Sequence, residues 1–97
     1  MATFISLLRL TQEGIENIKD SPMRLDNARR AFQAFGGEMK AFYLVMGQYD
    51  AVVISQAPDT MSAAKVSLIV GSAGAVKTET LVAFEESEYR EIINALP

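Results

Sequence analysis

EMKAFYLVMGQYDAVVISQA, residues 38–57, is the stretch that decides the fold. Its two ends, residues 38–46 and 50–57, are rich in β-branched and aromatic side chains, which suit a pleated and partly buried strand. Only Gly47-Gln48-Tyr49 separates them. Parallel neighbours need a crossover of about a dozen residues or more, so strands this close in sequence pair as an antiparallel hairpin. Gly47 supplies the positive φ of a tight reversal. Asp50 can accept backbone N–H bonds beside the turn, and Tyr49 places an amphipathic ring where the chain turns back.

Both faces of this hairpin are apolar. Phe42, Leu44 and Met46 alternate with Ala41, Tyr43 and Val45, and Val52 and Ile54 alternate with Ala51 and Val53. A strand with one side in water should instead alternate with polar residues.

Upstream, TFISLLRL at 3–10 reads as a first strand. Thr11 can cap a short helix that carries Glu13 in its first turn and Ile15 and Ile18 on one side. Ser21-Pro22 restarts a helix, with Ser21 as cap and Pro22 at the first position. Leu25, Ala28, Phe32 and Phe35 then form one apolar stripe, with Arg24, Asn27, Arg30 and Gln33 turned away from it, and Gly36-Gly37 closes the helix.

Downstream, Asp59 caps a helix running to about Ser72. Met61, Ala64, Leu68 and Ile69 lie on one side of it and Ala63, Val66 and Val70 on the other, so burial on all sides is the expectation. AVKTETLVAF at 75–84 alternates as a fourth strand, and a closing helix from Ser87 to Leu96 lines up Tyr89, Ile92, Ile93 and Leu96. Setting aside the short helix after the first strand and the C-terminal helix, the order is βαββαβ. This predicts an α+β, ferredoxin-like sandwich in one domain over 1–97, with an antiparallel four-stranded sheet ordered 4-1-3-2 and both helices on one face. The other face, of order 400 Å² at ordinary strand spacing and length, then needs a cover. Apolar residues there predict a homodimer through the open sheet face, and the apolar helix at 59–72 predicts a further contact and a higher oligomer.

Composition excludes several chemistries. The chain has no cysteine and no histidine, which removes disulfides, thiolate metal sites, Ser-His-Asp catalysis and histidine-ligated metals or haem. No metal and no cofactor are expected. A net charge of -3 argues against a nucleic-acid partner, which needs a clustered basic surface, and Arg24, Arg29 and Arg30 read as a solvated helix face. The start MATFISLLRL lacks a basic n-region and no apolar run approaches the roughly 20 residues that span a bilayer, so a cytoplasmic protein without a membrane partner is the expectation.

Gly47-x-Tyr49-Asp50 does not stand alone. With Thr11-x-x-Gly14, Ser21-Pro22-x-Arg24, Gly36-Gly37, Lys77-Thr78-x-Thr80-Leu81-x-Ala83-Phe84 and Glu88-Tyr89-Arg90 at these separations, the chain resembles the GYD-domain proteins of bacteria and archaea over nearly its whole length. The resemblance implies a ferredoxin-like fold of the dimeric α/β-barrel kind and carries over no catalytic residue. The hairpin also resembles the turn in effector-binding domains of leucine-responsive transcription regulators, which implies small-molecule binding between subunits. No DNA-binding segment precedes the first strand here, which argues against direct regulation of DNA.

Three functions compete on this reading. One is a non-catalytic oligomeric module that binds a small molecule at or near a subunit interface, with Tyr43, Gly47, Tyr49 and Asp50 as the ligand-binding residues. The second is a cofactor-independent enzyme for proton transfer or oxygenation of a small hydrophobic substrate, drawing on Asp50, Tyr43 and Tyr49 for acid-base work. The third is an assembly protein whose product is the oligomer. Arg9, Lys77 and Glu79 are strand charges that either point inward or, as is commoner, guard a sheet edge, and the sequence does not fix which face carries them.

Overall fold

A computed structural model describes residues 1–97. The elements are β1 (Ala2–Leu10), α1 (Gln12–Glu16), α2 (Ser21–Ala34), β2 (Glu38–Leu44), β3 (Ala51–Ala57), α3 (Thr60–Ser72), β4 (Val76–Ala83) and α4 (Glu86–Asn94), with a single 3-10 turn at Ile18–Asp20 leading into α2. The strands form one four-stranded sheet in the order β2-β3-β1-β4, and every neighbouring pair is antiparallel.

Register assigns each side chain to a face. Phe4 stands opposite Ser55 and Val82, Ser6 opposite Val53 and Thr80, and Leu8 opposite Ala51 and Thr78. These rows face the helices, because Phe4 packs with Ala63 of α3, and Val53 packs with Phe32 of α2 and Val66 of α3. The alternate rows, Leu81-Ile5-Ile54-Ala41 and Glu79-Leu7-Val52-Tyr43, face away from the helices. A bulge at Lys40, between Met39 and Ala41, lets β2 hold this alternation.

The core is thin. Only 11 of 97 residues are buried, and six of the apolar ones gather in two small groups, Phe4-Ala57-Ala63 and Phe32-Val53-Val66, with Ala51 and Ala75 buried apart from them. A chain of this length packs to a radius of gyration of about 12.5 Å when compact. The observed 14.6 Å and the 52 Å long axis show that part of the chain projects from the body. Helix α4 has no extensive contact with any other element and leaves Tyr89, Ile92, Ile93 and Leu96 exposed along one side. The C-terminal helix therefore does not roof the sheet.

Three sequence expectations are corrected. The strands of the hairpin are shorter than residues 38–46 and 50–57, because the Asp50 N–H donates to the Leu8 carbonyl of β1 while its own carbonyl accepts from Val45. Asp50 is thus shared between two strands, and Met46 to Tyr49 bulge out as the turn. Ser21 is the first residue of α2 rather than its cap, and Asp20 at the cap position makes no side-chain bond to the helix. Helix α3 buries Ala63 and Val66 but leaves Met61 69% and Leu68 73% exposed, since sheet and α2 cover it from one side only.

The α3 cap is as the sequence predicts. The Asp59 carboxylate accepts the Ser62 N–H at 2.8 Å, and that backbone hydrogen bond holds its pKa below the ordinary aspartate value. A lowered folded-state pKa contributes stability above the ordinary value and loses it as pH falls through the folded one. Asp59→Asn still accepts the bond but no longer titrates. Urea unfolding should show a smaller stability loss between about pH 7 and about pH 3 for this variant than for the parent chain.

Candidate functional site

The hairpin loop sends consecutive side chains to opposite faces of the sheet. Gly47, at φ +121°, forms the tip with open space around its Cα, a backbone conformation that L side chains rarely adopt. Tyr49 lies over the open face, where the Arg9 guanidinium stacks 4.8 Å from its ring centre and its hydroxyl donates to Glu79 Oε2 at 3.1 Å. Tyr43 also lies on the open face, opposite Val52. Arg9, Lys77 and Glu79 all belong to this face, at the end near the hairpin loop.

Asp50 serves the other side. Its Oδ2 accepts the Leu10 N–H at 2.8 Å, ending β1 where the ladder has no further partner. Immediately beyond, the Thr11 N–H donates to the Ala75 carbonyl, and the Thr11 hydroxyl donates to the Gly74 carbonyl while accepting from Gly14 N–H. A Cβ on Gly14 would collide with the Ala75 carbonyl oxygen, so this joint tolerates no side chain. The Thr11-x-x-Gly14 pair is thereby explained as a clasp between β1, α1 and the start of β4.

Asp50 also lines a cavity of about 460 Å³ between the helix-facing side of the sheet and α2 and α3. Leu8, Leu10, Phe42 and Leu44 contribute from the sheet, and Leu25 and Ile69 from the helices. Arg24 lines it too: its Nη1 donates to the Asn17 carbonyl at 3.2 Å, while its Nη2 is buried without a hydrogen-bond partner. This corrects the expectation that Arg24 occupies the solvated side of α2. The 3-10 turn at Ile18–Asp20 redirects the chain so that Asn17 draws the guanidinium inward.

The sequence-predicted quartet is therefore divided. Tyr43 and Tyr49 face the open side, Asp50 faces the cavity and Gly47 shapes the loop between them. Sequence alone puts neither Arg9 and Glu79 beside Tyr49 nor Arg24 in a cavity, because the neighbours of each come from other elements. No group of acidic, histidine or cysteine side chains is placed to hold a metal ion, and no helix is long and apolar enough to cross a membrane.

A ferredoxin-like α+β sheet with a Gly-x-Tyr-Asp hairpin defines a class, and the chain belongs to it: the GYD domain family model matches residues 4–93. A relative from Thermus thermophilus, named glutamine synthetase and cystathionine beta-lyase binding protein, is 38% identical over 86% of this chain and 88% of its own length. A solved structure, also from Thermus thermophilus, is 25% identical, with TM-score 0.56 over 88% of this chain and 95% of that one. The leucine response regulatory protein of Mycobacterium tuberculosis shares the fold at 13% identity, with TM-score 0.66 over 87% of this chain. The present chain spans about half the length of that regulator, 51%.

Two substitutions probe the loop. Asp50→Ala strands the Leu10 N–H and should cost about 1–3 kcal/mol in urea unfolding, with Asp50→Asn closer to the parent because its amide oxygen still accepts. Gly47→Ala should cost about 1–3 kcal/mol through backbone strain alone, without contact loss.

Proposed function

We propose that this protein is a non-catalytic, self-associating binding module that docks on a partner protein. The observation that carries the reading is the uncovered apolar belt of Ile5, Leu7, Val52, Ile54 and Leu81 on the side of the sheet away from the helices. A surface of that kind favours association through its non-directional removal from water, at about 25 cal/mol per Å² of apolar area. Packing two such sheets face to face forms a dimeric α/β barrel by an isologous contact. Arg9, Tyr49 and Glu79 then lie at one end of the belt, where their polar groups stay on the rim while the ring of Tyr49 extends the contact. Tyr43 and Tyr49 serve the subunit interface in this reading, and a small molecule held beside it would meet the same two rings.

The exposed side of α3, with Met61 and Leu68, and the apolar side of α4 are left for a higher oligomer or for a partner. Partner binding is supported by the relative at 38% identity, whose name states that it binds two enzymes. The reading assigns no bond-breaking step to any residue.

Light scattering on the purified chain should give the mass of a dimer or a larger assembly at micromolar protein. Ile54→Glu, which places a charge in the middle of the belt, should yield a folded monomer, and a parent chain that is itself monomeric would remove the reading. Biolayer interferometry against glutamine synthetase from the same host should show saturable binding by the parent chain.

A further inference from the structure

We infer that the cavity beneath α2 and α3 binds a small carboxylic acid with an apolar body, and that Arg24 receives its carboxylate. The site stands on the opposite side of the sheet from the self-association surface and does not depend on it. Its volume, about 460 Å³, falls in the range of small-molecule sites, about 300–1,000 Å³, and its walls are mostly aliphatic. Such walls alone would accept any apolar molecule. The guanidinium makes the difference.

Arg24 is the one cationic side chain lining the cavity: its Nη1 donates to the Asn17 carbonyl, while its Nη2 is closed off from solvent. No carboxylate of the chain lies within ion-pair distance of it, since the ion pairs join Arg29 to Asp26, Lys40 to Glu38 and Arg90 to Glu86. A guanidinium that lines hydrocarbon walls and has no carboxylate of its own chain to pair with is best matched by an anionic acceptor. The ligand's charge is bounded by Asp50, which lines the same cavity and has its Oδ2 already engaged by Leu10 N–H. A doubly charged phosphate would face that carboxylate, whereas a monoanion with its charge directed at Arg24 and its hydrocarbon over Leu8, Phe42 and Ile69 would not.

The test uses the full chain, isotope-labelled, titrated with octanoate and with octanol, and followed by amide chemical shifts and calorimetry. Octanoate should bind at least about tenfold more tightly than octanol, with shifts at Leu10, Leu25, Ala51 and Ile69. Arg24→Gln should bring octanoate down to the affinity of octanol and leave octanol unchanged, while Ala28→Phe, which fills the cavity, should abolish both. The comparison of the two ligands on the parent chain stands even if a variant fails to fold. Equal affinity for acid and alcohol, or shifts confined to Ile5, Val52 and Leu81 on the open face, would overturn the assignment. So would failure of the acid to bind while Ile92 and Ile93 of a second copy occupy the cavity.

Discussion

The structure depends on β1 being paired on both edges while its two faces are both apolar. Pairing with β3 on one side and β4 on the other leaves β1 no free backbone edge, so its alternation decides which residues meet the helices. Phe4, Ser6, Leu8 and Leu10 go to the helix side, and Ile5 and Leu7 go to the other. Helices α2 and α3 both lie over the first side. One face is therefore roofed by the chain's own helices and its opposite is not. A core of 11 buried residues in 97 is the consequence.

The hairpin loop connects the two faces. Tyr49 and Asp50 are adjacent, so the pleat sends them apart: Tyr49 to the Arg9-Glu79 group on the open side, Asp50 to Leu10 and the cavity on the helix side. Gly47 allows the chain to reverse without filling the space at the tip. Gly47, Tyr49 and Asp50 thus form a joint in which the two faces are one peptide unit apart.

The fold is shared with a longer regulatory protein at 13% identity, a likeness that extends to architecture alone. Function follows from the site instead. The absence of cysteine and histidine removes the commonest nucleophile-base pairs, and the polar groups that the fold does gather are arranged for holding: a stacked Arg9-Tyr49 pair, a clasp at Thr11 and a guanidinium facing hydrocarbon. These features suit recognition.

By itself the sequence determined the element types, the antiparallel hairpin, the single-sided placement of α2 and α3 and the Asp59 cap, because alternation, helical spacing and capping are local and each is written within a few residues. The apolar character of both sheet faces was legible for the same reason. What only the tertiary structure decided was which residues share a site. The register of β1 against β4 brought Glu79 to Tyr49, the bond from Asp50 N–H to the Leu8 carbonyl lengthened the loop beyond Gly47-Gln48-Tyr49, and the 3-10 turn before α2 moved Arg24 from a solvated face into a cavity. These contacts join residues far apart in the chain, and pairing at such separations depends on how whole elements dock rather than on any pattern within one of them.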